Sequence, residues 1–232
     1  MVLVHGSLDG SDRFDRVVPL LANECQLLRY DRRGYGRSLV EGPPPALDVE
    51  GHIDDLLALL DRRQAAVLAA HSFGGLVALG AAARVPSCTR AIVLYETALP
   101  WLPSWPKAVV QAALDSDDPD TEMLELMLGG RLTKGRPAWQ AARRAEGPAL
   151  VAEQRSVRQG RATFDPTAVT VPVIYGHGTL GPHGQLIDDL VGALPPVELT
   201  VVDGAGHNAP STHPEAFAAM IRHGLDLARA SS

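Results

Sequence analysis

Short apolar segments recur along the chain and alternate with longer segments of helical periodicity. The apolar segments lie at 1–4, 26–30, 66–70, 91–95, 171–175 and 198–202. Most lack the polar alternation of a half-exposed strand, which predicts parallel strands covered on both faces. The helical patterns lie at 14–22, 53–63, 73–84, 185–194 and 214–230. This alternation predicts an α/β protein with a mostly parallel sheet flanked by helices.

One interval, 97–170, breaks the alternation because it contains no convincing strand. It holds all three tryptophans of the chain and helix-like runs at 121–128 and 137–144. A structureless loop of this length is uncommon in a compact domain. We therefore predict a helical cap inserted into a core that is formed by 1–96 and 171–232.

The strongest motif, AHSFGG at 70–75, follows an apolar segment and opens a helical one. Small residues two positions before and after Ser72 permit a tight strand-to-helix turn that exposes the serine hydroxyl. The start of the helix directs its positive dipole end to the same place, so the Phe73 N–H can stabilise an oxyanion. We interpret Ser72 as a nucleophile; the alternative is a serine packed in a glycine-rich turn.

Together with this motif, three other segments appear in an order that resembles the α/β-hydrolase superfamily. They are VLVHG at 2–6, YDRRGYGRS at 30–38 and GAGH at 204–207. The resemblance covers nearly the whole chain and is closest to serine-nucleophile, capped, cofactor-free esterases. It implies that Ser7 supplies a second oxyanion N–H and that His207 is the general base. One departure is Ala70, where glycine is usual.

The acid of the implied catalytic triad is missing from its usual place. In most of the superfamily it follows the strand before the last, in a Gly-x-x-Asp pattern, but here Thr179 stands at that position. Threonine carries no charge and cannot stabilise an imidazolium. Glu96 ends an earlier predicted strand, and we hypothesise that it replaces the aspartate. A Ser–His dyad, or an acid such as Asp203 or Asp165, remains an alternative.

The predicted substrate contacts are mainly apolar side chains of the insertion. They are Trp101, Trp105, Met127 and Trp139, together with His5 beside the oxyanion loop. Such residues form a pocket roof and a cap core equally well. We expect a small-molecule substrate with an apolar acyl part. Arg32 and Arg33 could bind an anionic substrate, but pairing with local acids is the favoured interpretation.

Composition and charge disfavour several classes of partner and cofactor. The 232 residues include 21 Lys and Arg against 27 Asp and Glu, a net charge of −6. This balance argues against nucleic acid and anionic membranes as partners. The two cysteines form no Cys-x-x-Cys pair, which disfavours redox and zinc motifs. No metal or cofactor is expected, and the absence of a visible signal peptide favours a cytoplasmic location.

These observations predict a serine hydrolase that cleaves a carboxylic ester, lactone or thioester. Two alternatives remain: another chemistry on the same fold (C–C hydrolase, lyase, perhydrolase or biosynthetic cyclase), or a non-catalytic binding protein that has lost its acid. Superfamily members usually begin with a hairpin before the first strand found here, so that hairpin is expected to be absent or encoded upstream. The strand at 26–30 would then be a sheet edge, which favours a homodimer.

Overall fold

The computed structural model describes residues 1–39, 48–60, 66–103, 105–157, 164–182, 187–194 and 197–230. Within these ranges six strands form one sheet. They are β1 (Val2–Val4), β2 (Leu28–Arg29), β3 (Ala66–His71), β4 (Thr89–Tyr95), β5 (Val173–Gly178) and β6 (Val197–Val202). Their order is β2-β1-β3-β4-β5-β6, and every neighbouring pair is parallel. The predicted fold class is confirmed.

Helices connect the strands. They are α1 (Val18–Leu21), α2 (Val49–Leu60), α3 (Phe73–Arg84), α4 (Lys107–Leu114), α5 (Pro119–Leu128), α6 (Pro137–Val157), α7 (Ile187–Ala193), α8 (Ala209–Thr212) and α9 (Pro214–Ala230). The predictions for α3 and α9 have the observed bounds. Parts of two other predicted helices, 61–63 and 185–186, lie outside the described residues. In the described parts of the chain no helix has the length and apolarity needed to cross a membrane.

Proline residues lie at three places where a predicted element differs from the structure, and at two of them the proline explains the difference. The helix expected at 14–22 is reduced to α1, because Pro19 has no N–H to continue a helix that begins earlier. The fifth strand begins at Val173 rather than at residue 171, since Pro172 cannot donate to a sheet ladder. By contrast, α6 runs on through Pro148 to Val157, well beyond the predicted end at residue 144.

Both faces of the sheet are buried, so alternate residues of the strands enter two separate cores. One face, with Val4, Ala70 and Leu94, packs against α2 and α3. The other face, with Leu3, Ala69 and Val93, packs against α9. Burial on both faces explains why the strand segments read as nearly continuous apolar runs.

Three helices, α4, α5 and α6, lie between β4 and β5 in the chain, inside the interval predicted as an insertion. They share a third apolar cluster of their own, which includes Val110, Met123 and Leu150. Leu8 and Tyr35, from loops that follow β1 and β2, complete this cluster. The helices therefore pack onto the loops at the carboxyl ends of the strands. The division into core and cap domains stays a prediction.

A glycine at the start of α3 allows this helix to approach β1. A Cβ atom at Gly74 would lie 2.4 Å from the Val4 carbonyl oxygen and 2.5 Å from that of His5. We expect Gly74→Ala to lower the free energy of unfolding by about 1–3 kcal/mol, because the backbone must move. Urea denaturation followed by circular dichroism measures this change.

The matched control is Gly192→Ala in α7, where an added Cβ meets nothing within 4 Å. This variant should be neutral, or more stable by up to about 1 kcal/mol, from helix propensity alone. Equal stability of the two variants would contradict the proposed close approach.

Candidate active site

Ser72 occupies a strained turn between β3 and α3. Its φ of 53° and ψ of −128° place it in a region that residues with a side chain rarely adopt. The Ser72 N–H donates to the Tyr95 carbonyl at 2.9 Å, which fixes the turn to the end of β4. Glycines make room around it: a Cβ at Gly6 would lie 2.8 Å from the Ser72 Cβ, and one at Gly75 would overlap Thr97. The local geometry is that of a sharp strand–turn–helix motif.

Glu96 follows β4 and is fully buried. Its Oε2 lies 2.8 Å from Nδ1 of His207, and its Oε1 accepts a hydrogen bond from the Gly178 N–H at 3.1 Å. A Cβ at Gly181 would lie 1.6 Å from Glu96 Oε1, so the absence of a side chain there makes space for the carboxylate. Because a carboxylate only accepts, the His207 Nδ1–H is the donor, and in this tautomer Nε2 is the ring nitrogen that carries no proton.

His207 lies in the loop after β6, and its side chain is 37% exposed. Two neighbours hold the backbone of this loop. The Tyr95 hydroxyl donates to the Gly206 carbonyl at 3.0 Å, and Nε2 of His71 lies 2.8 Å from the His207 carbonyl oxygen. Burial lowers the pKa of His71, and the neighbouring Asp9 carboxylate opposes this shift. The buried rings of Tyr95 and His71 therefore hold the loop that carries the part-exposed imidazole of His207.

The other acids considered from sequence make different contacts. Thr179, at the usual position of the acid, accepts a hydrogen bond from the Gly204 N–H at 2.9 Å. Its hydroxyl also donates to Asp203 Oδ1 at 3.3 Å. Asp165 caps a single 3₁₀ turn, accepting from the Thr167 N–H at 2.9 Å. Among these candidates, Glu96 is the one that the structure brings to the His207 imidazole.

Ser7 and Phe73 supply the two backbone N–H groups expected to face an oxyanion. Phe73 is the first residue of α3, so its N–H has no acceptor within the helix. Ser7 follows β1, and its hydroxyl donates to Glu153 Oε2 at 2.5 Å. Ser7, Phe73, Ser72 and His207 all line one cleft of about 970 Å³.

A buried ionic network lies behind Ser7. Arg32 donates through Nη1 to Glu153 Oε1 at 2.5 Å and through Nε to the His5 carbonyl at 2.9 Å, and the side chains of Arg32 and Glu153 are both fully buried. The Tyr35 hydroxyl donates to Glu153 Oε2 at 2.7 Å. One carboxylate of α6 thus holds the loops that follow β1 and β2.

Electrostatics in this network follow from burial and from the Arg32 charge. Burial alone would raise the pKa of Glu153, but Arg32, with His52 and Ser7, lowers it to about 2. Burial, reinforced by Arg32, lowers the pKa of His5 to about 3, so its ring is neutral and Nε2 accepts the Arg32 N–H at 2.8 Å. Glu153 is therefore ionised and His5 uncharged at neutral pH.

The predicted substrate contacts divide into two groups. Trp105, Met127 and Trp139 line the cleft that contains Ser72. The structure does not bring the other two to this lining. His5 is fully buried in the network around Arg32, and Trp101 packs edge-on against Phe164 with ring centroids 5.7 Å apart.

Sequence reasoning missed the residues that contact one another across long stretches of chain. Arg33 does pair with Asp55, 22 residues away, but Arg32 pairs with Glu153, 121 residues away. The available signal was the phase of Glu153, which shares one helical face with Leu150 and Val157, at spacings of three and four residues. A carboxylate on the apolar face of a helix predicts a buried partner.

Residues 1–220 match the Alpha/beta hydrolase family, and the chain belongs to this family. The predicted resemblance to the α/β-hydrolase superfamily is thereby confirmed, while the match identifies neither the reaction nor the bond that is cleaved. Ser72, Glu96 and His207 follow β3, β4 and β6. Their order along the chain, serine then acid then histidine, is the order typical of this fold.

The individual proteins that resemble this chain match it over a short segment or at low sequence identity. The probable oxidoreductase EphD of Mycobacterium tuberculosis is 45% identical over 60 residues, 26% of this chain and 10% of that protein. The polyketide synthase ThaQ of Burkholderia thailandensis is 27% identical over 97% of this chain, which spans 12% of ThaQ. The chain thus matches about a tenth of the length of these curated relatives. An esterase from Thermogutta terrifontis superposes with a TM-score of 0.74 at 21% identity, covering 98% of this chain and 89% of that chain.

The buried pair predicts a large cost for neutralising Glu153. Glu153→Gln keeps the shape of the side chain but leaves Arg32 buried without its counter-charge, so we expect a loss of about 3–5 kcal/mol in unfolding free energy. Urea denaturation at pH 8 measures it. The control is Glu122→Gln on the neighbouring helix α5, which should change stability by less than about 1 kcal/mol, because Glu122 is exposed to solvent. Similar losses in both variants would contradict the assigned role of the pair.

Stability should also fall as pH is lowered from 7.5 to 5.5. Burial lowers the pKa values of His5, His52 and His71 from about 6.5, so in this range the unfolded chain binds protons that the folded chain does not. Each such proton changes the unfolding free energy by up to about 1.4 kcal/mol per pH unit. Glu146 acts in the opposite direction, because its folded pKa is raised from 4.5 to about 7.

Urea denaturation midpoints at several pH values test this balance. The decline should be steeper in Glu146→Gln, which lacks the opposing group. A midpoint that stays constant or rises between pH 7.5 and 5.5 would show that the three histidines are not held neutral.

Proposed function

We propose that this protein is a serine hydrolase that cleaves a carboxylic ester, lactone or thioester through an acyl-enzyme on Ser72. The observation that carries the proposal is the contact between Glu96 and His207. A fully buried carboxylate with 2.8 Å to Nδ1 of a part-exposed imidazole supports a general base whose tautomer is fixed. The strained Ser72 turn on the same cleft supplies a nucleophile for that base.

In the proposed reaction, His207 Nε2 takes the proton of the Ser72 hydroxyl while the serine oxygen attacks the acyl carbon. The bond to the leaving group then breaks, and the imidazolium returns the proton to the departing oxygen or sulfur. A water molecule, deprotonated by His207, releases the acid and regenerates Ser72. Through both halves the Glu96 carboxylate stabilises the positive charge on the imidazole.

The N–H groups of Ser7 and Phe73 are the proposed oxyanion donors. Both belong to residues that line the cleft beside Ser72, and the Phe73 N–H also lies at the positive end of the α3 dipole. Losing one such donor typically costs about 10²–10³ in kcat. The hydrogen bond from Ser7 to Glu153 supports a fixed position for the first of them.

The helices α4–α6 act, in this proposal, as a cap that shapes the substrate site. Met127 and Trp139 of these helices and Trp105, which precedes α4, line the cleft, as expected for a substrate with an apolar part. We assign the reaction to the cytoplasm with a small molecule as partner and no cofactor.

A fluorophosphonate probe tests for an activated serine. Intact mass spectrometry should show a single adduct on the wild-type protein and none on Ser72→Ala. A folded wild-type protein that stays unlabelled would overturn the serine-hydrolase proposal.

Glu96→Gln tests the proposed triad acid. The amide preserves shape but carries no charge, so we expect kcat for an activated ester to fall by about 10³–10⁴ with the unfolding midpoint little changed. The control is Asp203→Asn, which removes a carboxylate from a neighbouring loop and should alter kcat by less than about threefold. A fall of less than tenfold in Glu96→Gln would favour a Ser–His dyad instead.

A further inference from the structure

The cleft that contains Ser72 has a charge opposite to that of the chain. The whole sequence carries 27 acidic and 21 basic residues. Among the described residues, however, the lining of the cleft includes five basic side chains and two carboxylates. The basic residues are Arg13, Arg131, Lys134, Arg136 and Arg143.

Two of these cations are neutralised within the protein. Arg13 forms an ion pair with Asp9, and Arg143 pairs with Glu146 at 3.0 Å. The other three, Arg131, Lys134 and Arg136, form no ion pair with any residue in the described ranges. Among the described lining residues, the one carboxylate outside these two ion pairs is that of Asp12.

The three cations without an ion pair belong to one short segment, residues 129–136 between α5 and α6, which we call the cationic loop. Within it, Arg131 Nε donates to the Leu128 carbonyl at 2.7 Å. The backbone of this loop is well anchored. Gln140 donates to the Gly135 carbonyl at 2.7 Å, and the ring of Trp139 lies against Gly135, where a Cβ would be 2.2 Å from the ring. Leu132 of the loop is fully buried. Positive charges held on an anchored backbone make a preorganised site for an anion.

A second cavity, of about 360 Å³, adjoins the cleft and shares Pro100, Trp105 and Gln154 with it. The rest of its lining includes Val110 and Val157, so it offers an apolar environment. The cleft thus has an apolar region beside Trp105 and a cationic region at the α5–α6 connection.

We propose that the substrate is amphiphilic: an apolar part lies beside Trp105, and a carboxylate or phosphate at the other end is bound by Arg131, Lys134 and Arg136. This inference rests on the proposed hydrolase function and specifies its substrate class. Arginine recognises both anions through paired hydrogen bonds, and lysine does so as a point charge. Neutral esters of similar size lack this interaction and bind more weakly.

Two pairs of substrates separate the two anions. The 4-nitrophenyl monoester of pentanedioic acid is compared with 4-nitrophenyl pentanoate, which lacks the terminal carboxylate. Butanoyl-coenzyme A is compared with butanoyl-N-acetylcysteamine, which has the same thioester without phosphates. In at least one pair, kcat/KM at low salt should be about tenfold higher for the anionic member, mainly through KM. The ratio should shrink in 0.5 M NaCl, because salt screens exposed charges.

The triple variant Arg131→Gln, Lys134→Gln, Arg136→Gln should bring this ratio towards one. All three side chains are exposed, so the substitutions spare the core. The matched control is Arg144→Gln. Arg144 is exposed on α6, bonds to Thr121 and is not among the lining residues, so the ratio should stay as in the wild type.

A binding measurement keeps the inference separate from catalysis. Calorimetric titration of Ser72→Ala with pentanedioate and with coenzyme A should show binding of at least one, weakened about tenfold by the triple substitution. If the fluorophosphonate adduct forms but neither pair shows a preference and neither anion binds, the substrate class is wrong and the hydrolase proposal stands. If no adduct forms but an anion binds through the cationic loop, the hydrolase proposal is wrong and the anion site stands.

Discussion

The buried ion pair between Arg32 and Glu153 is the interaction on which the geometry of the site depends. Removing two charges from water costs several kcal/mol per ion, and this cost is offset only if the remaining donors are also satisfied. Here Ser7 and Tyr35 donate to the same carboxylate, and Arg32 Nε donates to the His5 carbonyl. Arg32 Nη2 has no hydrogen-bond partner in the described parts of the chain, but the guanidinium lies over the Tyr35 and Phe73 rings. A helix from between β4 and β5 thereby fixes the backbone that follows β1. The helix α6 and the loop that follows β1 are consequently linked through one buried carboxylate.

The proposed position of the acid, at the end of β4 rather than at the end of β5, is physically simple in a parallel sheet. The two strands are neighbours, with Tyr95 paired to Gly176, so both carboxyl ends open towards the same loop after β6. An acid at the end of β4 needs a particular backbone conformation and space for its carboxylate. Glu96 adopts a left-handed φ of 44°, which costs of the order of 1–3 kcal/mol, and its carboxylate occupies the space that Gly181 leaves. Leu8 and Ser72 are the two other described non-glycine residues with positive φ, and both line the cleft of about 970 Å³.

Much of the fold was predictable because its sheet is buried on both faces. Continuous apolar runs locate the strands, and α3 and α9 have strong helical periodicity between clear end signals. Prolines caused the errors in both directions: Pro19 shortens α1, whereas Pro148 fails to end α6. In the site, the strand-end position of Glu96 was visible in the sequence. The Arg32–Glu153 pair was not, since tertiary packing alone brings such distant residues together. The position of the cationic loop at the cleft also depends on tertiary packing.

The charge of the cleft differs in sign from the net charge of the whole chain, which composition alone does not show. A net charge of −6 suggests an acidic surface throughout and disfavours polyanionic macromolecules as partners. Yet a Debye length of about 8 Å at physiological ionic strength confines exposed charges to local effects. A small ligand inside the cleft therefore experiences Arg131, Lys134 and Arg136 rather than the acidic remainder. An uncharged substrate, as the aromatic residues alone suggested, would leave the attraction to these cations unused.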